Sequence, residues 1–310
     1  MPVLVDLIVP IFGLILFGYA ATFTPVFDQA AGRALAAFVF WFAIPIMLFR
    51  NMAGQQLPAV LPWGYLLSYY LSALLVFALG MAASRLLFAA PLEEQAITGF
   101  GGSYGNVVLM GTPLVLAAFG PQATLPFFLI LSFHSVLMFT VVTVVVELGQ
   151  GGGSELRLLP KRVGQGLVKN PILVALGGGL VFHWLGLSLP HAVDRWAELI
   201  GQAAGPCALF SMGASLRAYR IGGAMSRAAV MMALKLLLLP LLVWLLATRL
   251  FTVDPAWVPV AVITAAMPCG VNSYLFAERY KVGQAESAAA ILVSTGLSVV
   301  TMSLILGWLG

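Results

Sequence analysis

Charge is what this sequence has least of. Aspartate, glutamate, lysine and arginine make up 8% of its 310 residues, and 61% are hydrophobic. A soluble domain carries about 25% charged residues. A soluble globular protein is therefore excluded, and an integral membrane protein is expected. The net charge of +4 does not point to nucleic acid, and no such partner is expected. Cysteine is nearly absent too. Cys207 and Cys269 both lie in apolar stretches, which excludes a disulfide framework and a cysteine-based metal site. No metal or other cofactor is expected. The start of the chain lacks the basic residues of a signal peptide and carries Asp6 instead, so the first apolar segment reads as a permanent span. No phosphate-binding glycine loop interrupts the apolar runs, which argues against ATP hydrolysis.

What the sequence has in quantity is long apolar runs. A spanning helix needs about 20 mostly apolar residues. Ten such segments are expected: Val3–Ala21, Arg33–Met52, Trp63–Phe88, Ala96–Phe119, Ala123–Glu147, Asn170–Leu187, Trp196–Ala218, Met225–Phe251, Ala256–Glu278 and Gln284–Trp308. With the N-terminus outside, the inner loops hold Arg33, Arg85, Arg157, Lys161, Arg162, Lys169, Arg217, Arg220, Arg227, Arg279 and Lys281. The outer side holds only Arg50, Arg195 and Arg249. Basic residues favour the cytoplasmic side, so both termini are expected outside. Trp63, Trp184, Trp196, Trp257 and Trp308 fall at the outer span ends, where amphipathic rings favour the interface.

The chain also repeats itself. Pro10 and Pro171 are 161 positions apart, as are Pro45 and Pro206, and Phe49 and Phe210. Residues 1–147 and 170–310 read as two five-span halves, joined by a glycine-rich cytoplasmic linker over 148–169. Because five is odd, the second half enters the membrane from the opposite side. That is the inverted-repeat plan of secondary transporters.

Two spans carry residues that a membrane helix should avoid. The fourth holds Gly102, Ser103, Gly105, Asn106, Gly111 and Pro113. The ninth holds Pro268, Gly270, Asn272 and Ser273. Pairing Pro113 with Pro268 needs an offset of 155. Unpaired backbone groups in hydrocarbon cost several kcal/mol each, so such breaks survive only against protein or a polar cavity. Half-helix N-termini carry partial positive charge and free N–H donors, and asparagine amides add more. Together these suit an anion without a permanently buried cation. On the alternative reading, the glycines merely let helices pack and the prolines merely kink them.

The motifs "FAIPIMLF", "GNVVLMGTPLVLAAFG", "LKLLLLPLL" and "MPCGVNSYLFAERY" resemble those of the auxin efflux carrier family. That family includes the plant PIN carriers and bacterial malonate-type carriers, and the likeness runs over nearly the whole chain. The resemblance implies an all-α membrane fold of ten helices with crossing, broken helices four and nine. Spans 1, 2, 6 and 7 would form a scaffold, and spans 3–5 and 8–10 a moving transport domain. Gly105, Pro113, Pro268 and Gly270 would mark the crossover. Asn106 and Asn272 would hold a substrate carboxylate, with Ser103, Ser273, Tyr274 and Lys235 as further binding candidates. A homodimer is implied as well. The related bile-acid-type carriers use sodium, but no acidic residue stands in the middle of span nine.

Three ionisable side chains complete the reading. Lys235 lies about 15 Å into span eight by helical rise. It either serves the anion or proton coupling, or bonds to carbonyls freed nearby. His134, midway along span five, is a candidate for proton coupling or a neutral structural histidine. Arg50 ends span two, as a guide for anions or a snorkelling interfacial group. The function expected is a secondary carrier of small organic anions in the lipid bilayer of the cytoplasmic membrane, and not an enzyme. A channel or a membrane-embedded enzyme is the alternative.

Overall fold

The computed structural model describes residues 2–54, 62–150, 171–218 and 225–309. The side chains of residues 2–8, 173 and 176 lie outside that description. The glycine-rich linker beyond Gln150 lies outside it too, as do Arg157, Lys161, Arg162, Lys169 and Arg220. The described residues form twelve helices. They are α1 Pro2–Ala21, α2 Gln29–Ala53, α3 Trp63–Phe88, α4 Leu92–Ser103, α5 Val107–Phe119, α6 Pro121–Gly149, α7 Pro171–Trp184, α8 His191–Leu216, α9 Met225–Leu250, α10 Val258–Ala265, α11 Val271–Tyr280 and α12 Gln284–Leu309. Six of them, α2, α3, α6, α8, α9 and α12, are each long and apolar enough to cross a membrane. The segment read as span six is a helix of 14 residues. The segments read as spans four and nine each hold two shorter helices.

α3 shows why this surface belongs in lipid. Leu67, Leu71, Leu75 and Leu79 form one exposed stripe, spaced four apart as a helix face requires. The opposite face buries Ser68, Ser72, Tyr69 and Ser84. Leucine outside and serine inside reverses the pattern of a water-soluble helix. Small and hydroxyl-bearing residues instead let neighbouring membrane helices approach and hydrogen-bond.

Proline shapes the helices without always ending them. The helix widens to π-turns at Val39–Ala43, Val107–Gly111 and Leu234–Leu238. Two positions after each comes a proline, Pro45, Pro113 or Pro240. A proline ring clashes with the carbonyl four residues back, and a widened turn moves that carbonyl away. At the start of α2 the Asp28 carboxylate accepts from the Ala31 N–H at 2.8 Å, a conventional N-cap. Ala89 (φ 50°) and Lys281 (φ 58°) close α3 and α11 in the left-handed region.

The helix ends gather into two groups. At one end Arg227 of α9 pairs with Glu94 of α4 and, at 3.1 Å, with Glu286 of α12. There too the Gln150 amide donates to the Tyr280 carbonyl at 3.1 Å, and Arg217 donates to the Thr22 carbonyl. At the other end Arg50 of α2 pairs with Asp194 of α8 at 2.6 Å, and Tyr65 packs edge-on to Trp257 at 5.1 Å.

Two helix pairs make an equivalent contact. A Cβ on Gly18 of α1 would stand 2.0 Å from the Phe210 carbonyl oxygen of α8. A Cβ on Gly179 of α7 would stand 2.9 Å from the Phe49 carbonyl oxygen of α2. Gly18 and Gly179 are 161 positions apart, as are Phe49 and Phe210. In both pairs a bare glycine lets one helix lie directly on the backbone of the other.

Candidate functional site

α4 stops at Ser103 and α5 starts at Val107; α10 stops at Ala265 and α11 starts at Val271. Each gap holds an extended residue: Tyr104 has φ −97°, ψ 120° and Gly270 has φ −74°, ψ 141°. The two gaps pair with each other. The Asn106 N–H donates to the Pro268 carbonyl and the Gly270 N–H to the Tyr104 carbonyl, both at 2.9 Å. Gly105 and Cys269 face each other across this antiparallel bridge. The Cys269 N–H donates to Ser294 Oγ of α12 at 3.0 Å. Pro268 has no N–H to satisfy and contributes only its carbonyl. Each gap thus supplies the partners that lipid cannot.

The crossing is close at both glycines and tightest at Gly270. A Cβ at Gly270 would lie 2.5 Å from the Tyr104 ring. A Cβ at Gly105 would lie 3.0 Å from Lys235 Cε, 3.1 Å from its Nζ and 3.3 Å from Met267 Cβ. Lys235 is wholly buried, and its Nζ donates to the Ala265 carbonyl. It therefore caps the C-terminus of α10, where a cation is favoured, and braces the gap from behind. This is the carbonyl-bonded arrangement of the two considered for this lysine.

Four helix ends meet here. The C-termini belong to α4 and α10, the N-termini to α5 and α11. Lys235 stands at one of the two C-termini, and the starts of α5 and α11 bring two helix N-termini to the same crossing.

The two asparagines are placed differently. Asn272 Nδ2 donates to Tyr104 Oη at 3.0 Å, and Tyr104 Oη also contacts Ser135 Oγ at 3.0 Å. The Tyr104 ring is held between Phe100 (4.8 Å), Phe139 (5.3 Å) and the His134 imidazole, which stacks on it at 4.5 Å. Asn106 is buried, and its Nδ2 lies 2.9 Å from Met212 Sδ of α8. A thioether is a weak acceptor, so this amide is the less committed of the two.

The other expected residues sort clearly. Ser103 and Ser273 are wholly buried, and each hydroxyl donates to a nearby backbone carbonyl, Gly99 and Gly270, at 2.7 Å. Tyr274 is half-buried on α11. His134 is wholly buried, and neither ring nitrogen has a hydrogen-bond partner among the described residues. Pro113 is not at the bridge. It lies within α5, eight residues past Gly105, because the π-turn before it lets the helix continue. The gap centres Gly105 and Cys269 are 164 positions apart, so the expected match of Pro113 with Pro268 is not the pairing the backbone makes. Arg50 is engaged by both carboxylate oxygens of Asp194, at 2.6 and 3.0 Å, and is not a free cation. Tyr104 and Met212 contact the two asparagines, Ser135 contacts Tyr104, and none of the three emerged from the sequence. Tyr104 had a signal in its place between Ser103 and Gly105.

A cavity of about 300 Å³ opens between α1, α2, α5 and α8. Its wall is apolar, with Thr112 and Pro113 on α5 facing Pro206 and Leu209 on α8. A neighbouring recess of about 260 Å³ shares Met47, Gly201 and Gln202 with it and reaches Arg50, Asn51 and Glu198.

Helices with lipid-suited faces throughout the described residues, and two buried gaps between helices paired with each other, define a multi-pass membrane protein of the transport class. The family model for membrane transport proteins matches residues 3–306, and the chain belongs to that family, the auxin efflux carriers. It is 29% identical over 297 residues to a Rhizobium meliloti (strain 1021) protein named "Putative malonate transporter", covering 96% of this chain and 93% of that one. It is also 26% identical over 249 residues to the mouse (Mus musculus) "Lysosomal cholesterol signaling protein". That match covers 74% of this chain but only 28% of the mouse protein.

Proposed function

We propose that the chain is a secondary carrier of small organic anions, carboxylates above all, that binds its substrate at the paired gaps beside Asn106 and Asn272. The observation that carries this reading is the reciprocal bridge at Gly105 and Cys269. The bridge brings the starts of α5 and α11 to one crossing, and on this reading a carboxylate meets their N–H donors there. The name of the Rhizobium meliloti relative supports a dicarboxylate such as malonate.

Ten spans in two inverted halves agree with the equivalent contacts of Gly18 and Gly179. On this reading α1, α2, α7 and α8 form the scaffold, and the remaining helices carry the gaps as a transport domain. Alternating access follows an elevator motion of one against the other in the cytoplasmic membrane, with both termini outside and the protein a homodimer. Lys235 serves as a brace for the site. His134 is a candidate for proton coupling.

The test is flux. Purified protein in liposomes should take up radiolabelled malonate with saturable kinetics. Excess malate, succinate or indole acetate should compete, and the label should be recovered chemically unchanged. Flux linear in malonate with no saturation would replace the carrier by a channel. No uptake of, and no competition by, any carboxylate would overturn the anion reading.

A further inference from the structure

The contact between Asn106 and Met212 deserves a role of its own, because it joins a gap to a helix outside both broken segments. On α8, Gln202, Pro206 and Leu209 line the cavity, and Met212 follows them at the three- and four-residue spacing of one helix face. On α5, Thr112, Pro113 and Leu116 line the facing wall, and Asn106 precedes them. The two helices run in opposite directions along the cavity. Asn106 and Met212 do not line the cavity; their contact lies past its Thr112 and Leu209 end, and Gln202 marks the other end. Met212 is wholly buried and Asn106 is 6% exposed, so the pair is shielded from water.

The chemistry of the contact is unbalanced. A primary amide is a strong donor and a thioether a weak acceptor. A carboxylate oxygen accepts from an amide far better, since charge-assisted bonds are about twice as strong as neutral ones. We propose that Met212 is a gating and specificity residue: its sulfur holds the place on Asn106 Nδ2 that a substrate carboxylate oxygen takes. An anion entering along the cavity exchanges with the sulfur. In doing so it frees α5 from α8 and couples occupancy of the site to release of the gap segment. A neutral substrate of the same shape gains less from that exchange, because its oxygen is a weaker acceptor than a carboxylate's. The inference rests on the anion site proposed above and adds the residue that selects for charge.

The test uses two substitutions of opposite sign in the full-length protein, with malonate as the probe and isothermal titration as the measurement. Met212→Leu keeps volume and removes the acceptor. Malonate then has nothing to displace, and its affinity should rise about two- to fivefold, the scale of one weak hydrogen bond. Met212→Gln supplies a strong amide acceptor and should weaken malonate by a similar factor or more. Asn106→Ala alone should weaken it, and adding Met212→Leu to Asn106→Ala should change nothing further, because the two effects act through one contact.

Malonate binding unchanged by Asn106→Ala would remove the proposed anion site itself. Weakening by Asn106→Ala combined with an unchanged or weakened Met212→Leu would overturn the role of Met212 and leave the site standing. Should Met212→Gln not fold, the leucine variant alone decides.

Discussion

The two gaps share a backbone solution and differ in almost everything else. The first, between Ser103 and Val107, has no proline. It contributes two large polar side chains, Tyr104 and Asn106. The second, between Ala265 and Val271, carries Pro268 and Cys269 and is supported from outside by Lys235 and Ser294. Their asparagines are not equivalents. Asn106 follows its gap centre by one residue and Asn272 by three. One lies against a thioether of another helix, the other is locked to Tyr104. On the proposed reading the second gap is the fixed side, and the first carries the donor that can change partner.

The largest effect expected comes from breaking what the gaps share. Gly270→Val forces a branched side chain into the Tyr104 ring, where even a Cβ is too close. Overpacking of this kind costs typically 1–3 kcal/mol or more, and here it also parts the bridge. Transport should be lost and the unfolding temperature in detergent should fall. A normally stable, active variant would show that the crossing is not built this tightly.

Asn106→Ala should come next. A bond between a donor and a charged acceptor contributes about 1.5–3 kcal/mol, so malonate affinity should drop roughly ten- to a hundredfold with little change in unfolding temperature. Asn272→Ala should show the reverse balance. It removes a brace on Tyr104, lowers stability by about 1 kcal/mol and weakens affinity less than tenfold. Equal affinity losses for the two variants would erase the distinction between a fixed and an adjustable gap. Thermal unfolding and titration on the same preparations decide it.

Arg50→Gln should matter least. Its pair with Asp194 is partly exposed, with side-chain exposures of 31% and 39%, and such pairs are worth about 0–1 kcal/mol. Malonate affinity should change by less than about fivefold. A larger loss would move the anion site toward the recess at Arg50.

How much of this was legible depends on the kind of residue. Pro268 and Gly270 announce a break from sequence, since one lacks a donor and the other a side chain, and both lie between α10 and α11. Pro113 announces one too, and misleads. A proline next to a π-turn is accommodated within the helix, and the gap falls earlier, at Tyr104 to Asn106. That displaced the pairing of the two segments to Pro113 with Pro268, when the backbone pairs Gly105 with Cys269. Asn106 stood out as an amide in an apolar run. Tyr104 did not, because an aromatic residue there looks like ordinary core until its hydroxyl is seen to reach Ser135 and Asn272. The partner of Arg50, 144 positions away, was equally invisible. Long-range polar pairing leaves no periodicity to read.

The reciprocal bridge also sets an order on biosynthesis. Asn106 donates to a carbonyl, that of Pro268, which the ribosome adds about 160 residues later. At about 5–20 residues per second, the nascent first gap waits roughly 8–30 seconds for its partner. Through that interval its backbone groups need water or the insertion machinery as surrogate partners. A truncated chain ending at residue 150 would keep them unsatisfied for good and should be cleared by membrane proteases, unless residues 151–310 are supplied from a second gene.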